Sequence, residues 1–257
     1  MSAFSNVVHG APGYDKTANS SQKHRIGTRM VYSDGRTFYY SYAAAAITAG
    51  KVTMGSQTAA DHIKDLAVVS GAAGANQVVL TNGSTTAIVG SGKYTENFAT
   101  RGDYVDGYLF VNDAIGEGQI FQIADHSTAA TGAALTVDFY NNDTVQTALT
   151  TASQVGIHKP VGHSVEVWDA DDIDGPPLGV PTHDIASGEY FWNQTTGPAS
   201  VLTNGTVVLG KNVMTGSTTD GSVDVMADDS SAEFLIGAVL AVGATTEYSL
   251  VDLQIKP

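Results

Sequence analysis

The stretch GEYFWNQTTGPASVLTNGTVVLG, residues 188–210, decides how this chain is read. Tyr190, Phe191 and Trp192 stand in a row after Glu189, followed by a Gly197-Pro198 step and an Asn204-Gly205 pair. None of these residues is equipped to attack a substrate. Aromatic and β-branched residues suit a pleated, half-buried surface, and Asn-Gly is a hairpin turn signal. The stretch therefore predicts one strand of a small barrel, alternately buried and exposed, with Gly197 and Pro198 fixing the turn after it. The competing reading is the wall of a binding site.

The rest of the 257 residues has the same character. Charged residues are 15%, where about 25% is usual. The 28 glycines, with abundant Thr, Ser, Asn and Ala, suit strands joined by tight turns rather than a helical bundle. HSVEVWDA (163–170) alternates, Val165 and Val167 to one side, Glu166 and Trp168 to the other. Similar runs recur from ANQVVLT onward at the spacing of a sandwich or barrel. TAADHIKDLAVVS (58–70) has helical spacing, and the Pro- and Gly-rich IDGPPLGVPTHDIASG (173–188) reads as a linker. The expected fold is all-β: an N-terminal extended arm, a central β-sandwich or barrel, and a small C-terminal β-barrel. The boundaries expected are 1–54 for arm and hairpin, 55–185 for the central domain and 186–257 for the small barrel.

The net charge of −14 is uneven. Residues 1–101 hold nine Lys/Arg against five Asp/Glu, leaving +4; residues 102–257 hold three against 21, leaving −18. So acidic a body repels nucleic acid and anionic membranes, because phosphate binding depends on Lys and Arg. Neither is an expected partner. Lys16, Lys23, Arg25 and Arg29 read as a short basic arm that lies on an acidic partner, or as ordinary solvated surface. With no cysteine, disulfides, Cys-zinc sites and thiol chemistry are excluded. MSAFSNVVHGAPG lacks the charged and apolar regions of a signal peptide. The longest apolar run, FLIGAVLAVGA (234–244), is shorter than the ~20 residues of a membrane helix. A soluble protein is expected.

Motifs that carry chemistry fail on inspection. DADDIDG (169–175) has Asp169 and Asp171 where a calcium loop wants oxygen ligands, but Ile173, Asp174 and Val180 occupy the later key positions. VGSGKY (89–94) lacks the earlier Gly and the final Ser or Thr of a phosphate loop. The seven histidines form no HExxH or HxH pattern, and no G-x-S-x-G elbow exists. Asp228 and Asp229 have no aromatic sugar cradle around them. No catalytic residue, cofactor or metal site is expected, and the protein does not read as an enzyme.

Two longer stretches carry a resemblance. One is IGTRMVYSDGRTFYYSYAAAAITAGKV (26–52); the other is GEYFWNQTTGPASVLTNGTVVLGKNVMTGSTTDGSVDV (188–225) with the FLIGAVL and EYSLVDL that follow. Between them lies DYVDGYLFVNDAIGEGQIFQI (103–123). In pattern and order, from residue 26 onward, the chain resembles virion structural proteins of tailed bacteriophages, in particular capsid decoration (cement) proteins. The resemblance implies a β-rich protein, made in the bacterial host cytoplasm and displayed in many copies on an icosahedral head. It further implies a homotrimer that contacts the major capsid protein, with no catalytic or cofactor residues. On this reading residues 1–25 form an arm that orders only against the capsid, through Lys16, Lys23, Arg25 and Arg29. Tyr190, Phe191 and Trp192 then supply core, or aromatic anchors at a subunit contact. The alternatives are a tail, head–tail connector or host-binding component, or a carbohydrate-binding module with the aromatic strand as its platform.

Overall fold

The computed structural model describes residues 7–55, 62–81, 104–129, 132–140, 143–171, 175–226 and 234–255. Within them the chain is all-β, with one short 3-10 turn at Tyr14–Lys16. It divides into two compact units: residues 1–56 with 162–257, and residues 57–161. The first unit begins with β1 (Val7–His9), β2 (Arg29–Val31), β3 (Thr37–Tyr42) and β4 (Thr53–Gly55). The second contains β5 (His62–Ser70), β6 (Gln77–Thr81), β7 (Tyr108–Asp113), β8 (Ile120–His126), β9 (Ala134–Phe139) and β10 (Gln154–His158). The first resumes with β11 (Val165–Val167), β12 (Pro177–Pro181), β13 (Tyr190–Leu202), β14 (Asn212–Thr215), β15 (Val223–Val225), β16 (Leu235–Ala241) and β17 (Tyr248–Gln254).

The second unit is a closed six-stranded barrel in the order β10-β5-β6-β9-β8-β7. Residues two apart on each strand point to the same side, and here they fill the interior: Leu66 and Val68, Val78 and Leu80, Leu109 and Val111, and their counterparts on the other three strands. Phe121 and Phe139 stack at 4.3 Å inside it. Closure removes the open edges that would otherwise pair with other chains. The segment expected to be helical becomes β5, because its Leu66 and Val68 meet the barrel's period of two rather than a helix's period of 3.6.

In the first unit the sheet runs β1-β2-β3-β13-β17-β16-β14-β15, with β12 paired to both β13 and β4, and β11 paired to β4. β1 and β2 are parallel; the other ladders of this sheet are antiparallel. β13 is its spine. Tyr190 to Thr196 pair with β3, and Thr196 to Leu202 pair with β17. Between the halves the strand bulges at Thr195 and bends through Gly197, whose φ is +84°. The buried Gln194 fixes the bend: its Nε2 donates to the carbonyls of Thr196, Gly197 and Pro198 at 3.1, 3.2 and 2.9 Å. A bulge is where a sheet tolerates proline. The Gly-Pro step is thus a bend inside one strand of 13 residues, not the turn after a shorter one.

The second half of β13, with β17, β16, β14 and β15, curls until Val223 of β15 bridges back to Thr203 beside β13. The expected small C-terminal barrel takes the form, among the described residues, of a curled sheet joined by a single bridge and continuous with the N-terminal strands. Val201, Val213, Val223, Ile236, Val239, Val251 and Leu253 pack inside, against Trp168 and Met54. Gly237 is required where β16 approaches β17, since a Cβ there would collide with the Asp252 carbonyl.

The division into 1–54, 55–185 and 186–257 gives way to this arrangement, because β13 draws β3 and β17 into one sheet and β5 to β10 close on themselves. The expected linker is corrected as well. Pro177 and Pro181 bound β12, whose Val180 and Pro181 pair with Gln194 and Asn193 of β13. In strands, prolines are confined to such margins.

Candidate interaction surfaces

The residues expected to form a free basic arm belong to a folded segment. The backbone N–H of Asp15 donates to the Tyr32 hydroxyl at 2.9 Å, and Thr182 Oγ1 donates to the Asp15 carbonyl at 3.1 Å. Asn19 and Tyr190 exchange backbone hydrogen bonds of 2.9 and 2.8 Å. The Lys23 N–H donates to the Tyr40 hydroxyl at 3.0 Å. Lys16, Lys23, Arg25 and Arg29 are all exposed, but on separate elements: the 3-10 turn, the loop beyond it and the start of β2. The extended-arm reading is therefore corrected for the described residues. A segment low in apolar side chains orders here because its few rings and backbone groups find partners on β2, β3 and β13; residues 1–6 lie outside the described residues.

The aromatic triplet is core. Phe191 is 0% and Trp192 1% exposed, and Tyr190 is half-buried. Successive strand residues point to opposite faces, and both faces of this half of β13 are covered. Phe191 packs with Ile47, Val165 and Ile185 on one side; Trp192 packs with Met30, Phe38 and Tyr40 on the other. Tyr14 and His24, from the N-terminal segment, close over Trp192 at ring distances of 6.2 and 5.2 Å. Phe191 and Trp192 are therefore not available as interface anchors or as a sugar platform.

Two other surfaces are open. The first is an apolar outer face on the curled C-terminal sheet. Leu250 lies opposite Ser200 on β13 and Ala241 on β16, and Tyr248 opposite Leu202. Leu240, Val242, Tyr248 and Leu250 are all exposed. Alongside β16 runs the loop that carries Val208 and Leu209, the latter 65% exposed; it is tied down by hydrogen bonds of 2.9 Å from Gly210 N–H to the Val239 carbonyl and from Val239 N–H to the Lys211 carbonyl. Asp252, beside Ala238 and Pro198, and Glu247, next to Tyr248, mark the limits of this apolar surface.

The second is a groove of about 510 Å³ in the first unit. Its walls come from the 3-10 turn, Arg36 after the β2–β3 turn, residues 48–50, the end of β12, the bend of β13 and the start of β17. Arg36 Nη1 lies 3.6 Å from Oδ2 of the buried Asp15, and its Nε donates to Asp34 Oδ2 at 2.8 Å. Its guanidinium stands 4.6 Å over the Tyr32 ring. The Arg36 backbone N–H, and then its side chain, hold the Asp34 carboxyl below its usual range. Burial pushes the Tyr32 hydroxyl up. Tyr248 leans on Gly50, where φ is +72° and a Cβ would sit 2.6 Å from the ring. Arg36, Asp15, Gln194 and Tyr248 carried no shared signal in the sequence, since folding alone brings them together.

Among the described residues no three His, Cys, Asp or Glu side chains gather in a metal-binding arrangement. Asp169 accepts a 2.9 Å hydrogen bond from the Asp171 N–H, as in a simple acidic turn. Residues 89–94 and Asp228–Asp229 lie outside the described residues. No protein-family model, curated protein or solved structure matches the chain.

Burial sets the pH response of the first unit. His24 and His183 are both pushed below the ordinary value of 6.5 by desolvation, and neither ring nitrogen of His183 has a hydrogen-bond partner. With folded values below the unfolded one, the unfolded chain takes up protons first, so stability is lost as pH falls below 6.5. Tyr32, Tyr40 and Tyr190 are raised above 10.0 chiefly by burial, so the unfolded chain loses their protons first and stability falls as pH rises past that value. The urea midpoint read by tryptophan fluorescence should hold steady from about pH 7 to 9 and drop by about pH 5. A midpoint unchanged at that lower pH would contradict the packing of His24 and His183.

Proposed function

We propose that this protein is a structural component of the tailed-bacteriophage virion: a capsid decoration protein that binds the outside of the assembled head and stabilises it without catalysis. The observation that carries the reading is the apolar outer face of the C-terminal sheet. In a chain of net charge −14, copies repel one another except where carboxylates are sparse. Leu240, Val242, Tyr248 and Leu250 form such a place, and exposed apolar patches of this kind mark association surfaces. The face supports a homotrimer on the head surface whose remaining contacts are with the major capsid protein. Each contact need bury only ~800 Å² per partner. Repetition over a symmetric shell multiplies its effect, and binding the assembled lattice alone stabilises it by mass action.

The test is co-sedimentation with purified heads that lack the protein. The expected result is pelleting with assembled heads and no association with unassembled major capsid protein. Protein that stays in the supernatant at every head concentration overturns the proposal.

A further inference from the structure

We infer that the groove beside Arg36 is a binding site for a neutral saccharide. Its volume of about 510 Å³ falls in the range of roughly 300–1,000 Å³ typical of small-ligand sites. Gln194 lines the groove and supplies an open acceptor. Gln194 is 1% exposed, its Nε2 is committed to three backbone carbonyls, and its Oε1 accepts no hydrogen bond. A ligand hydroxyl can donate to that oxygen in place of solvent.

The remaining walls suit the same chemistry. Tyr248, 43% exposed, presents its ring on one side. Its position is set by Gly50, so the apolar face of a pyranose finds a fixed aromatic surface rather than a mobile one. Thr48 and Ser200 bring hydroxyls, and Lys16 brings a donor at the rim. Arg36 is balanced by Asp15 and Asp34. That balance removes the charge a phosphate or carboxylate ligand would seek, while leaving guanidinium N–H groups to donate. A ligand with an apolar ring face and several hydroxyls that both give and accept matches this set.

Tyr248 also belongs to the face proposed for self-association, but heads play no part in the test, so failure of this inference and failure of the virion reading are distinguishable. Titration calorimetry of the full-length protein uses maltose, cellobiose, lactose and N,N′-diacetylchitobiose as probes, with glucuronate and inorganic phosphate as charged comparisons. The expected result is binding of at least one neutral disaccharide. Tyr248→Ala should weaken it at least about tenfold, and Ser200→Trp, which fills the groove from an exposed position, should abolish it. The urea midpoint of Ser200→Trp should match that of the parent, so loss of binding reports the groove and not the fold. No neutral disaccharide bound at about 20 mM, binding confined to the charged probes, or binding unchanged in both variants would each overturn the inference.

Discussion

Replacing Trp192 by alanine is expected to cost the first unit about 3–5 kcal/mol, the range for removing a buried tryptophan. Trp192 is packed from both its own sheet and the N-terminal segment: Tyr40 lies 4.9 Å away edge-on, and Tyr14 and His24 cover the other approach. Its loss opens a cavity and removes the surface on which residues 14–24 rest. Deletion of residues 1–25 should act through the same contacts. It should destabilise the body, because it strips the cover from Trp192 and the hydrogen-bond partners from Tyr32 and Tyr190. The readout is convenient, since both tryptophans of the chain, Trp168 and Trp192, lie in the first unit. In the Trp192→Ala variant, Trp168 fluorescence therefore reports that unit alone. A loss below about 1 kcal/mol, the level of an ordinary surface change, would contradict this packing.

The double variant Leu240→Asp with Leu250→Asp is expected to abolish self-association and to weaken head binding at least about tenfold, or about 1.4 kcal/mol. Both side chains are exposed, so folding should be little affected, with at most about 1 kcal/mol of strand preference lost per site. At the proposed contact the effect is larger. Two carboxylates per chain would enter the stretch between Asp252 and Glu247 that is otherwise apolar, and like charges would face each other across the contact. Sedimentation velocity should show a trimer for the parent and a monomer for the variant at the same concentration. An unchanged sedimentation coefficient would place the contact elsewhere.

Much of the fold was legible from local pattern. Val78 and Leu80, like Leu135 and Val137, repeat every second residue, and a barrel wall needs only that, whereas the segment with Leu66 and Val68 carried helical spacing and folds as a strand. Alternation also located β11, but not how deeply it lies. Val165 and Trp168 sit on opposite faces in different core clusters, because other elements cover both sides. The run Tyr190-Phe191-Trp192 predicts alternate burial and exposure, yet Phe191 and Trp192 are both buried, because elements cover both faces of this half of β13. Chain topology was illegible. Nothing local says that residue 190 pairs with residue 42, or that residues 57–161 fold as a separate insertion. The N-terminal segment misled for a related reason. Its sequence is polar, and its order derives from single contacts such as Asp15 with Tyr32 and Asn19 with Tyr190. The groove was invisible for the same cause, as Asp15, Arg36, Gly50, Gln194 and Tyr248 are scattered along the chain.

The proposed shell-wide structural role is tested by counting copies of this protein in purified virions against the major capsid protein by quantitative mass spectrometry. The expected result is a ratio near one, or a simple fraction of it set by the symmetry of the head. A handful of copies per particle would assign the protein to the tail or a single vertex, and its absence from virions would overturn the structural role.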